Sequence, residues 1–194
     1  LGKWDVILAP AAVAELLAWL SAIAFGSSSY DDGTSLVCGN EGKQVTGSAI
    51  HLFDDGAMPQ GIGVPRFFDD EGLPKQRVEL ILDGVAKGIV HDTTSARRHG
   101  VASTGHAEFR ELEATPGSAA RHLHLAPGSS SVPDLVAQVE RGLLVSRLHY
   151  VNGMIEPRRA VMTGLLRDAA FLIVDGRITN AVQQMRFTDS ILEA

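Results

Sequence analysis

Three residue pairs, Asp83-Gly84, Asn152-Gly153 and Asp175-Gly176, constrain this chain more than any other feature. Each sits between apolar-rich runs: RVELIL-DG-VAKGIVHD, LLVSRLHYV-NG-MIE and AAFLIV-DG-RITNAVQQMRF. Asp-Gly and Asn-Gly tolerate the left-handed backbone that a type I′ turn needs at both central residues, so each pair predicts a β-hairpin. Hairpins join antiparallel strands, and the chain is therefore expected to build a largely antiparallel sheet with a barrel-like core.

Helices are expected in different places. PAAVAELLAWLSAIAFG, residues 10–26, is the most apolar stretch, with Glu15 its single charge. Residues 11–25 would span roughly 22 Å as a helix, and a membrane crossing needs about 20 apolar residues, so the stretch predicts a buried helix and no membrane span. Pro10 suits its first turn, Gly26 its stop, and its composition predicts burial nearly all round. WDVILAP before it reads as a short buried strand, and FGSSSYDDGTS after it as a polar loop.

SSSVPDLVAQVERG predicts an amphipathic helix capped by Ser131, with Pro133 in its first turn, Leu135, Val136 and Val139 on one face, and Gly142 as terminator. TTSARRHG predicts a further helical turn, and residues 106–120 a surface loop. The fold class is α+β, in a single domain over residues 1–194. The chain starts at Leu1, and its tail FTDSILEA stops inside an ordered pattern, so it is expected to be a piece of a longer protein.

Charge narrows the function. Lys and Arg number 17 against 23 Asp and Glu, giving a formal net charge of -6, and no basic stripe occurs, which argues against nucleic-acid binding. Asp5 ahead of the apolar run, with Lys3 the only basic side chain there, argues against a signal peptide. Cys38 is the only cysteine, which excludes an internal disulfide and fits a reducing cytosol.

Four groups of residues invite a chemical reading. His122 and His124 in RHLHLAPG would share one side of a strand, as metal-binding pairs do, with His106, His149 or Glu140 as a third ligand. The competing reading is an exposed polar face with Leu123 and Leu125 pointing inward. No H-E-x-x-H or G-x-S-x-G occurs, and Ser103 lacks the strand-turn-helix setting of a nucleophile. Cys38 reads most simply as a small buried residue. Asp69, Asp70 and Glu71 in FFDDEGLPKQR are consecutive, which splays their carboxylates, so they read as a solvated turn rather than a cation site.

The order and spacing of RFFDDEGLPKQRVELILDG, STGH at 103–106, Pro127-Gly128 before the second helix, GLLV at 142–145 and FLIVDGRI resemble the C-terminal domain of the TldD/PmbA family, also called modulators of DNA gyrase. The resemblance runs over nearly the whole chain. It implies a cytoplasmic protein with an N-terminal α/β domain and an extreme C-terminus outside this sequence. It further implies a heterodimer in which a zinc-bearing TldD-like subunit cleaves unfolded or extended peptides. The gyrase name does not imply DNA binding.

In catalytic members the helix at this place reads P-E-A-A-G-V-L-L-H-E-A-x-G-H, two histidines holding zinc and a glutamate activating water. Laid on that pattern from Pro10, the three positions fall at Ala18, Trp19 and Ile23, none of which can do either job. The resemblance therefore places the chain on the non-catalytic PmbA side, without zinc of its own and with zinc in its partner. Asp70, Gly72, Ser103, Thr104, Gly105 and His106 become candidates for a peptide-lined chamber wall. Two other readings stand beside it: a stand-alone hydrolase with a metal on His122 and His124, and a structural homodimer.

Overall fold

The computed structural model describes residues 2–59, 65–109 and 117–194. Strand β1 (Asp5–Leu8) runs into helix α1 (Pro10–Ile23), followed by helix α2 (Ser27–Asp31). Next come β2 (Leu52–Asp54), β3 (Val78–Leu82), β4 (Val85–Ala86) and helix α3 (Thr93–His99). After β5 (Ala107–Glu108), β6 (Gly117–Ser118), β7 (Leu123–Leu125) and helix α4 (Val132–Ala137), the chain forms β8 (Arg141–Glu156) and β9 (Val161–Val174). It finishes with β10 (Arg177–Ala181) and β11 (Arg186–Ser190).

The fold is α+β, as expected. Its larger sheet is built on the long β8–β9 hairpin, with β1 added in parallel to the start of β8 and both β10 and β11 antiparallel to β9. A second sheet has the order β4-β3-β2-β7, all antiparallel, and β5 pairs with β6. Both sheets are open among the described residues, so the barrel-like expectation gives way to two layers sharing one core. That core joins Ala12, Leu16 and Leu20 of α1 to Leu143, Val145, Met162 and Leu166 of the larger sheet and to Leu52, Leu80 and Ile81 of the smaller one.

Pro10 opens α1 as expected, because a first-turn residue has no helical acceptor for the N–H that proline lacks. The helix ends at Ile23, earlier than Gly26, which instead precedes α2 as its N-cap. Burial is on one face only. Ala12, Leu16, Leu20 and Ile23 face the core, whereas Ala11, Ala18 and Ala22 are exposed. A helix lying on a sheet is covered on one side, and alanine leaves little apolar surface to penalise on the other.

Two of the three hairpins form as predicted. Asp83 and Gly84 take φ 52 and 75, Asp175 and Gly176 take φ 48 and 72, and both turns connect paired strands. Asn152-Gly153 is no turn: β8 runs through it, and the chain reverses over a 3-10 turn at Pro157–Arg159. Proline has no N–H for the ladder and ends the strand there. A parallel correction applies to α4, which keeps its Ser131 cap but ends at Ala137, while Gly142 lies inside β8 opposite Asp5. The loop expected over residues 106–120 carries the β5–β6 ladder and buries Ala107, Ala119 and Ala120; residues 110–116 lie outside the described residues.

Candidate functional site

Helix α1 carries Ala18, Trp19 and Ile23, the positions that the resemblance compares with a zinc motif, and their side chains do not converge on a metal. In this chain Ala18 is exposed while Ile23 is buried in the core. Trp19 and Ile23 lie over Gly153 of β8, so closely that an added Cβ on Gly153 would sit 3.1 Å from Trp19 Cε3 and 3.3 Å from Ile23 Cδ1. Alanine and isoleucine offer no donor atom, and the indole of tryptophan offers only an N–H, so these residues do not fit zinc. Among the described residues no group of three His, Cys, Asp or Glu side chains is placed to hold a metal ion.

The structure brings the two motifs FDDEG and STGH together into one polar corner. Asp69 accepts the N–H of Glu71 at 3.0 Å and of Leu73 at 2.8 Å on one oxygen, and that of Ala107 at 2.9 Å on the other. Asp70 accepts the Phe109 N–H at 2.8 Å and pairs with Arg66, while Glu71 accepts the Thr93 N–H at 3.0 Å and its hydroxyl at 2.6 Å. The consecutive carboxylates do splay, as their spacing requires, and each fastens a different part of the backbone. Asp69 is itself buried, which differs from a solvated turn.

The STGH side is tied in by the backbone. Gln76 N–H donates to Thr104 O at 3.0 Å and Thr104 N–H to His91 O at 3.1 Å. Gly105 has φ 69, and a Cβ there would collide with the Pro74 carbonyl, so only glycine fits. His106 is fully enclosed: its Nδ1 donates to Thr104 O at 2.8 Å and its Nε2 meets Asp54 Oδ1 at 2.9 Å. Of the six expected wall residues, Gly72 is exposed, Asp70, Ser103 and Thr104 are half-buried, and Gly105 and His106 are buried.

Asp54 is the residue that sequence reasoning missed. Its second oxygen accepts the His122 N–H at 2.7 Å, so one carboxylate joins β2, the start of β7 and the STGH loop. Burial pushes its pKa up, but the hydrogen bond and charge of His106, the His122 N–H and the charge of Lys75 together hold it below the usual carboxylate range. Burial pulls the Lys75 ammonium below its ordinary value, opposed by Asp54. Nothing in HLFDD marks its first aspartate as interior, since paired carboxylates after an apolar run read as a turn.

The remaining candidates have structural partners. His124 stacks on Phe53 at a centroid distance of 5.2 Å and faces Asp55 O at 3.2 Å, while Arg77 covers Phe53 at 3.7 Å. Leu123 packs toward the core as expected, but Leu125 is 37% exposed, because β7 is an edge strand at its end. The Ser103 hydroxyl donates to the His91 carbonyl at 3.2 Å rather than to a base. Cys38 donates to Tyr30 O at 3.2 Å, and burial pushes its thiol up, which suits a packing residue and not a nucleophile. No helix among the described residues is long and apolar enough to cross a membrane.

Fold and corner acquire a context from known proteins. Residues 1–194 match the family described as the PmbA/TldA metallopeptidase C-terminal domain. The chain thus falls within a metallopeptidase family. Specifically, it belongs to the TldD/PmbA family. A metalloprotease TldD homolog of Haemophilus influenzae is 30% identical over 160 residues, covering 82% of this chain and 32% of that protein. A metalloprotease TldD homolog of Buchnera aphidicola is 27% identical over 161 residues, covering 83% and 32%. The crystal structure of TldE from Thermococcus kodakarensis superimposes with a TM-score of 0.80 at 26% identity, covering 96% of this chain and 41% of that one. A candidate modulator of a DNA gyrase from Thermotoga maritima has the same fold, with a TM-score of 0.82 at 23% identity, covering 98% and 42%. The chain thus spans about a third of the length of these curated relatives.

Proposed function

We propose that this chain belongs to the non-catalytic member of a TldD/PmbA peptidase pair, which works in the cytoplasm beside a zinc-bearing TldD-like subunit on unfolded or extended peptides. The observation that carries this reading is the packing of Trp19 and Ile23 on Gly153, which commits two of the three motif positions to the joint between helix and sheet, while Ala18, the third, offers no donor atom. The kinship to TldE supports it. Such a subunit contributes surface rather than chemistry: an open sheet can hold an extended peptide by main-chain hydrogen bonds, with little demand on its sequence. Of the corner, Asp70 and Gly72 are the residues we assign to the chamber wall, because His106 has no surface to offer.

Metal analysis of the purified full-length protein tests the reading. Zinc well below one equivalent per chain is expected, together with co-purification of a second polypeptide that carries the intact H-E-x-x-x-H helix. About one equivalent of zinc, lost when His122 and His124 are both changed to Ala, would overturn it in favour of a stand-alone hydrolase.

A further inference from the structure

Strand β9 has different neighbours at its two ends, β10 at one and β11 at the other, with residues 182–185 bridging them. The bridge is bonded to β9 at two points, Val182 N–H to Ala170 O at 2.8 Å and Leu166 N–H to Met185 O at 3.0 Å. Between those points β9 bulges. Val145 faces Ala170 and Arg147 faces Arg167, so Asp168 and Ala169 stand against Ser146 alone, and Asp168 takes φ 62. A second bulge lies alongside: His149 faces Leu165, Asn152 faces Thr163, and Tyr150 between them takes φ 49. Left-handed backbone at non-glycine residues is disfavoured, and such bulges concentrate where a strand is re-aimed toward a site.

The bulge opens a cleft of about 260 Å³ with Leu166 and Ala170 in its lining and His149, Arg167, Asp168 and Gln184 as its polar groups. Two features at this cleft point to a ligand, the first a pair made by Arg167 of the lining and Arg147 just beside it. Arg147 and Arg167 are direct cross-strand partners, a repulsive pairing that an anion relieves, and the carboxylate they share fits loosely, Asp168 lying 3.3 Å from Arg147 and 3.5 Å from Arg167. A guanidinium carries five N–H donors, and both side chains are about half exposed, so donors remain open to a ligand. His149 Nε2 lies 3.3 Å from Gln184 Nε2, while its Nδ1 is buried without a hydrogen-bond partner among the described residues. Buried polar atoms in folded proteins are nearly always partnered, so this one marks a place where a further polar group belongs.

We propose that this cleft binds a carboxylate on a small apolar stem, as presented by the C-terminus of a peptide or by a short free carboxylic acid. Arg167 in the lining supplies the charge-assisted hydrogen bonds, with Arg147 beside it against Asp168, Gln184 and His149 supply neutral ones, and Leu166 and Ala170 accept the stem. A peptide C-terminus would deepen the proposed peptide-handling role and rests on it; the cleft itself involves no zinc.

Calorimetric titration of the full-length protein with N-acetyl-trialanine, its C-terminal amide and propionate is the test. The acid is expected to bind about tenfold or more tightly than the amide, with Arg167→Gln removing that difference and Arg147→Gln reducing it. Asp168→Asn, which takes away the competing carboxylate and keeps a side chain tolerant of left-handed backbone, should tighten acid binding. Propionate weaker than the peptide acid assigns the cleft to peptide ends, and propionate of equal affinity assigns it to free acids. Equal affinity for acid and amide, no binding of any probe, or arginine variants that unfold at the wild-type urea midpoint yet bind the acid unchanged would overturn the proposal. The zinc assay above is independent of every one of these outcomes.

Discussion

At the scale of single residues, the most consequential contact is the buried pair of Asp54 and His106. Asp54 has a folded-state pKa below its ordinary value, so its stabilisation is fully present above the unfolded value near 3.9 and is lost as pH falls through the folded one. Asp54→Asn should cost about 3 kcal/mol at neutral pH, the usual penalty for stranding one partner of a buried pair. The gap between the two proteins should close below about pH 4, read from urea midpoints across the pH range. A gap of constant size from pH 7 to pH 3 would contradict the assignment. Gly105→Ala meets both a positive φ and the Pro74 carbonyl, and should cost about 2 kcal/mol or more by the same measurement. Neither position announces itself in the sequence, because an interior carboxylate is recognised by what surrounds it in space. The spacing of FDDEG foretells only that its carboxylates diverge, not that each ends on a different N–H.

Among the elements, glycine was the ambiguous sign. Asp83-Gly84 and Asp175-Gly176 are legible as turns because both residues of each pair adopt left-handed backbone. Asn152-Gly153 and Gly142 carry the same letters for another reason, close approach: α1 lies on Gly153, and a Cβ on Gly142 would press on the Asp5 carbonyl. Local sequence cannot separate the two uses, since the second depends on a segment over a hundred residues away. The start of α1 was legible in Pro10, and its one-sided burial was not, because alanine is at home on either side of a helix. Placing His at 18, Glu at 19 and His at 23 together should not create a zinc site, since position 23 is packed into the core beside Gly153 while position 18 faces solvent. Ile23→His alone should lower stability by about 3 kcal/mol, by exchanging a packed apolar side chain for a polar one in the core. Thermal melts with and without added zinc read both outcomes; a melting point raised by zinc in the triple variant would refute this geometry.

Over the whole molecule, a single apolar cluster reaches from α1 through both sheets. Neither sheet has a separate large interior, so unfolding should be one cooperative transition, with far-ultraviolet circular dichroism and the fluorescence of Trp4 and Trp19 giving coincident curves. Two separated transitions would mean that the sheets fold as independent units. The sharing of that interior also bears on which substitutions it accepts. Trp19 has room because β8 carries no side chain at Gly153, and Ile23 completes the same fit. Single exchanges disturb that fit: a carboxylate at 19 leaves a void over Gly153, and an imidazole at 23 enters the interior. Any ligand placed on this face of α1 has to displace packed apolar surface first, so the joint between helix and sheet resists change one residue at a time.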